Sequence, residues 1–136
     1  MFVPVLAGIL VNEQGKIFLA QRKSNLIHGG KWEFPGGKLH PQEQPATCLQ
    51  RELREEFGVE SQIYHPFDVA TYTTDRMTIV LIAYWAKFVV TPTSSIDHQE
   101  LRWVAPGQVL QFDLTPADVL IAQKLQQATI PVLSNS

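Results

Sequence analysis

"RELREEFGV", residues 51–59, is the stretch whose reading decides this chain. Five of its first six residues, all but Leu53, are ionised, and Glu52, Glu55 and Glu56 crowd together. Just upstream lies "WEFPGGKLHPQEQ", residues 32–44, with paired glycines. Ala46, Leu49, Leu53 and Phe57 recur at helical spacing, so residues 45–57 are predicted to be an amphipathic helix. Pro45 suits the first helical position and Gly58 the C-terminal stop. On that helix the three glutamates stand at i, i+3 and i+4, within about one 5.4 Å turn. Like charges so placed repel. Arg51 reaches Glu55 at i+4 and offers partial relief. Taken alone, the run suits a solvated face with local ion pairs. The alternative is a divalent-cation site, because Mg²⁺ and Mn²⁺ take hard oxygen ligands.

Outward from the helix, residues 3–11 are apolar at both parities, as in a strand covered on both faces. Residues 12–15 signal a turn, and 16–22 read as the second arm of a hairpin. "KWEF" is a strand stub stopped by Pro35-Gly36-Gly37. Residues 66–73, 77–90 and 100–104 are further expected strands. A second helix is expected over 115–128, with Thr115 as N-cap and Ala117, Ile121, Leu125 and Ala128 on one face. Strands apolar on both sides need cover on both sides. The expected fold is therefore α+β: an α/β/α sandwich with a central mixed β-sheet.

The bounds agree with one domain. The chain has 136 residues, 45% hydrophobic and 18% charged, with net charge −2. No global basic field recruits nucleic acid or an anionic membrane, so a small anionic substrate needs a local device. A single cysteine, Cys48, excludes an intrachain disulfide framework and suits a cytoplasmic setting. The apolar start, residues 1–11, is too short to span a bilayer and has no basic region before it. The domain is expected over 1–128, with 129–136 a tail.

Together, loop and helix read G-x5-E-x7-R-E-U-x-E-E-x-G-U, with U a bulky aliphatic residue. Gly37, Glu43, Arg51, Glu52, Leu53, Glu55, Glu56, Gly58 and Val59 fill it without departure. Chance agreement at nine positions is on the order of 10⁻¹⁰ per starting point. This is the signature of the Nudix hydrolases. "KWEFPGGKL", "QR" at 21–22, "LRWV" at 101–104 and "LTPAD" at 114–118 resemble the MutT branch, including CTP pyrophosphohydrolases. The resemblance covers roughly residues 3–128.

The resemblance implies an Mg²⁺- or Mn²⁺-dependent enzyme that hydrolyses nucleoside triphosphates to the monophosphate and pyrophosphate. Oxidised dGTP is the first expectation and CTP or dCTP the next. RNA 5′-pyrophosphohydrolysis and nucleotide-sugar hydrolysis are further alternatives, and a non-catalytic binding domain is disfavoured by the intact glutamates. Implied metal ligands are Glu52, Glu55, Glu56 and the carbonyl of Gly36, with Glu52 also the general base. A later acidic residue completes the site in MutT, six positions before a tryptophan. Asp97 stands six before Trp103 here, and Glu100 is the fallback. Arg51 is expected to hold a glutamate in position. Implied substrate contacts are Arg22, Phe34 and Arg76, with Lys38 a further phosphate candidate beside the glycines. Asp118 matches a base-reading asparagine. Ionised, it only accepts hydrogen bonds; protonated by burial, it also donates. Its capping-box spacing from Thr115 offers a plainer role. His98 is a candidate to orient Asp97. The expected partner is a small nucleotide, without a stable nucleic-acid complex or membrane attachment, acting on a monomer or homodimer.

Overall fold

The computed structural model describes residues 1–134. Strand β1 (Phe2–Leu10) lies parallel to β6 (Thr78–Phe88) and antiparallel to β4 (Gly36–Lys38). The long edge strand β5 (Ser61–Thr73) pairs antiparallel with β6, completing a mixed four-stranded sheet of order β4-β1-β6-β5. A second, antiparallel sheet has the order β3-β2-β7, from β2 (Ile17–Arg22), β3 (Trp32–Glu33) and β7 (His98–Val104). Helix α1 (Pro45–Phe57), helix α2 (Pro116–Leu125) and a 3-10 turn (Pro106–Gln111) complete the elements.

The α+β sandwich with a mixed central sheet is thus as the sequence implies, and alternation along the strands shows why. On β1, Ala7 and Ile9 point into one core, and Leu6 and Leu10 into the other. On β2, Ile17 and Leu19 join the first, Phe18 and Ala20 the second. Helix α2 closes the first core with Ile121, Ala122 and Leu125. Helix α1 closes the second with Cys48, Leu49, Leu53 and Phe57. Burying each such leucine contributes about 2 kcal/mol. Phe18 anchors the second core, edge-on to Phe57, Phe88 and Trp103.

Three local expectations change. The expected hairpin over 3–22 closes only at its base, at the Val11–Ile17 bridge and the Asn12 N–H to Lys16 carbonyl bond. Beyond that its arms separate, β1 into one sheet and β2 into the other. Strand β5 begins at Ser61, not 66, because register shifts on either side of Pro66 let an edge strand carry a proline. Helix α2 ends at Leu125 rather than 128. By contrast α1 has the expected bounds, with Gly58 left-handed (φ 70°) and its N–H on the Arg54 carbonyl. Among the described residues, no helix is long and apolar enough to cross a membrane. Residues 129–134 form no regular element, although Ile130 and Leu133 pack against the core. The last two residues of the expected tail, 135–136, lie outside the described residues.

Candidate active site

The paired glycines do a steric task. A Cβ on Gly36 would lie 1.9 Å from the Leu6 carbonyl oxygen, because β4 presses against β1. A Cβ on Gly37 would lie 2.3–2.6 Å from the carboxylate atoms of Glu52. The loop therefore passes directly beneath the first glutamate of helix α1, and only glycine permits that approach.

Arg51 organises the glutamates. Its Nε and Nη2 donate to the two oxygens of Glu43 at 2.7 and 3.0 Å, a bidentate fork. Its Nη1 donates to Glu52 Oε1 at 2.9 Å and reaches Glu55 Oε2 at 3.3 Å. Nη2 also reaches the Lys38 carbonyl at 3.3 Å. The guanidinium holds the Glu43 carboxyl down to about 2. Glu43 also accepts the His40 N–H, so it braces the loop rather than the helix end. Burial raises the Glu52 pKa, and Arg51 only partly opposes it. Glu55 remains 60% exposed. Burial pushes the Glu56 pKa well up, and the charges of Glu33, Glu52 and Asp97 push it further. Glu56 Oε2 is sealed from solvent without a hydrogen-bond partner among the described residues. Clustered hard oxygens, one of them orphaned, fit a divalent cation.

Asp97 thus lies within electrostatic reach of Glu56, whereas Glu100 pairs with Arg102 on β7. His98 does not orient Asp97. Its Nδ1 meets Ser95 Oγ at 2.7 Å and its Nε2 meets Glu33 Oε2 at 2.7 Å. Cys48 is buried with Sγ 3.5 Å from the Lys38 carbonyl, and its thiol is pushed up to about 12 by burial, which leaves it inert.

A cavity of about 350 Å³ opens beside this face. Gly36, Gly37 and Lys38 form its edge nearest the glutamates. Val5, Leu6, Phe34, Ile79 and Leu81 give it an apolar wall, and Tyr72 an aromatic one. Arg22 and Glu33 lie on one side, Thr115 and Asp118 on another. Arg22 is pinned, with Nε on the Ile27 carbonyl at 2.8 Å and Nη1 on Glu33 at 3.3 Å. Asp118 is buried, and its Oδ2 accepts the Thr115 hydroxyl at 2.5 Å. That bond replaces the expected capping box, since Thr115 makes no side-chain cap. Burial raises the Asp118 pKa to about 8.

Arg22, Phe34, Lys38 and Asp118 therefore share one cavity, but Arg76 is not brought there. It is exposed on the turn between β5 and β6, with its N–H on Thr74 Oγ1. Sequence reasoning missed Glu33, which touches Arg22 and His98 and lies near Glu56 and Asp118. Its one signal was a carboxylate between two aromatics directly before the glycine loop. Tyr72 carried no signal at all.

A helix of clustered carboxylates, braced over a glycine loop and flanking an apolar cavity, forms in an α/β/α sandwich a site suited to a divalent cation and an anionic ligand. The NUDIX domain model matches residues 1–125, and the chain belongs to that family. It is a hydrolase acting on pyrophosphate bonds. It is 36% identical over 117 residues to the CTP pyrophosphohydrolase of Escherichia coli (strain K12), covering 86% of each chain. It is 41% identical over 130 residues to the 8-oxo-dGTP diphosphatase of Haemophilus influenzae, covering 93% of each. The crystal structure of a MutT NUDIX hydrolase from Burkholderia pseudomallei superposes with a TM-score of 0.79 at 28% identity, covering 95% of this chain and 99% of that one.

Proposed function

We propose that the chain is an Mg²⁺-dependent nucleoside triphosphate pyrophosphohydrolase of the nucleotide pool, releasing the monophosphate and pyrophosphate. The observation that carries this is the continuity of the glutamate face with the 350 Å³ cavity through Gly36-Gly37-Lys38. A triphosphate on the glutamate side places its base against the apolar wall and Asp118. Glu52, Glu55, Glu56, the Gly36 carbonyl and Asp97 would hold Mg²⁺ or Mn²⁺, which would supply positive charge between two anionic surfaces and polarise phosphoryl oxygens. Glu52 takes the proton of the attacking water, and burial raises its basicity for that task. Arg51 holds Glu52 in place and offsets its charge. Arg22 and Lys38 meet the phosphates or sugar, and Phe34 packs on the base.

At neutral pH the buried Asp118 carboxyl is protonated and presents one donor and one acceptor. That pair suits an oxidised purine, with oxidised dGTP first, and equally cytosine N3 and N4. The cytosine reading gains support from the similarity to a CTP pyrophosphohydrolase. Residues 1–128 act as one domain in the cytoplasm, as a monomer or homodimer without a stable nucleic-acid complex. A nucleotide panel with Mg²⁺ tests the reading, with product measured as pyrophosphate against phosphate. Hydrolysis in ¹⁸O-water locates the attacked phosphorus. Release of phosphate alone, or no turnover of any triphosphate, overturns it.

A further inference from the structure

Behind the cavity wall, a chain of polar contacts runs from the core to the substrate side of the site. It starts at His98, the first residue of β7, whose side chain is 0% exposed. Ser95 Oγ meets its Nδ1 at 2.7 Å and Glu33 Oε2 meets its Nε2 at 2.7 Å. Phe57 stacks on the ring with centroids 5.5 Å apart, which fixes its plane. A carboxylate only accepts, so Nε2 carries a proton and donates to Glu33. Both Glu33 oxygens also accept from Arg22 Nη1 at 3.3 Å. Arg22 Nε is committed to the Ile27 carbonyl, and Nη2 has no hydrogen-bond partner among the described residues. We propose that His98 is a positioning residue for triphosphate binding: through Glu33 it fixes the Arg22 guanidinium on the cavity wall, with Nη2 left for the nucleotide.

Three observations carry this. Burial alone does not call for an imidazole here. An apolar side chain would pack against Phe57 without taking a carboxylate out of water, and buried polar pairs are weak sources of stability. Arg22 also stands between the two ends of the site. Its charge opposes the raised pKa of Glu56 on the glutamate face and that of Asp118 at the base end. A long arginine serves both ends only when its rotamer is set before the ligand arrives. Finally, the neighbouring Asp97 is held by backbone. Lys23 N–H donates to the Asp97 carbonyl, and Ile96 N–H to the Glu56 carbonyl. The His98 ring therefore serves Glu33, not the turn that carries Asp97.

The inference rests on the reading of Arg22 as a phosphate or sugar contact. The test is the Kd of a nucleoside triphosphate with an imido group between its α- and β-phosphorus, measured by calorimetry with Mg²⁺. It needs no turnover, and kcat and KM for a hydrolysed nucleotide accompany it. His98→Met is expected to raise Kd and KM by about 10-fold, with kcat within about twofold of wild type. His98→Gln, whose amide still donates to Glu33, is expected to recover most of that loss. In an Arg22→Ala background His98→Met is expected to change Kd no further. Glu33→Gln, with one acceptor oxygen for two donors, is expected to behave as His98→Met does, and it serves where His98→Met does not fold.

A wild-type Kd in His98→Met or in Glu33→Gln overturns the proposal. So does a loss confined to kcat, or a loss equally large with and without Arg22. Arg22→Ala with a wild-type Kd overturns it together with the assignment of Arg22. A wild-type chain that binds the analogue but hydrolyses no triphosphate overturns the hydrolase reading and leaves the positioning role standing.

Discussion

Arg51 grips Glu43 with two donors, at 2.7 and 3.0 Å, and holds Glu52 with a third at 2.9 Å. One guanidinium thus ties the loop before helix α1 to the first glutamate on it. A lysine cannot reproduce the fork. Arg51→Lys is expected to lower kcat by about 10- to 100-fold with a smaller change in KM. Steady-state kinetics with Mg²⁺ check this; equal kcat in both forms refutes the bracing role.

Glu52 is assigned the proton. Glu52→Gln keeps the side-chain shape and a partner for Arg51 but removes the base. A loss of kcat of about 10²- to 10⁴-fold is expected, with an unchanged circular dichroism spectrum. Undiminished Mg²⁺-dependent hydrolysis sinks the proposed mechanism.

The two glycines separate stability from activity. Alanine at Gly36 drives its methyl into backbone, the Leu6 carbonyl, and no side chain can yield there. Gly36→Ala is expected to lower Tm by several degrees through strain of about 1–3 kcal/mol. The nearest atoms to an alanine methyl at Gly37 are the far end of the Glu52 side chain. Gly37→Ala is expected to displace that carboxylate, costing kcat more than Tm. Thermal unfolding and kinetics on both variants read the contrast.

Asp118 makes stability depend on pH. Its carboxyl stands near 3.8 when unfolded and at about 8 in the fold. Between those values the folded state binds a proton that the unfolded state lacks. Stability therefore falls as pH rises from about 4 to about 8, and then levels. Asp118→Asn does not titrate there and still accepts the Thr115 hydroxyl. The variant is expected to gain on wild type by several kcal/mol across that window, measured by urea unfolding at pH 5 and 8. It is also expected to change relative kcat/KM for oxidised dGTP, dGTP, CTP and dCTP. Unchanged ratios remove Asp118 from base recognition.

Metal removal should show in stability. Glu33, Glu52 and Asp97 repel a charged Glu56 in the apo chain, and a divalent ion relieves them. Saturating Mg²⁺ at about 100 times Kd is expected to add about 2.7 kcal/mol, reversible by a chelator. Glu56→Gln is expected to stabilise the apo chain and abolish most of that gain. A Tm insensitive to Mg²⁺ in the wild type contradicts the assigned ligands.

Much of this was legible along the chain, because it depends on local spacing. Helix α1, its Gly58 stop and the shared face of Glu52, Glu55 and Glu56 follow from a 3.6-residue period. The double-sided apolar pattern of β1 required cover on both faces, and α1 and α2 supply it. Local spacing also misled. A turn at 12–15 implied a paired hairpin, but only long-range pairing decides which sheet each arm joins. β1 takes β6, and β2 takes β7.

The site divides the same way. The sequence by itself determined the carboxylate face, the glycine loop beneath it and the family, since these lie within residues 36–59. Only the tertiary structure placed Glu33 and His98 against Glu56, buried Asp118 beside the cavity, left Arg76 outside it and added Tyr72. Those relations join residues from different elements across two sheets. Burial, which sets the charge of Asp118 and leaves Glu56 unpartnered, is a property of the assembled layers and of no single segment.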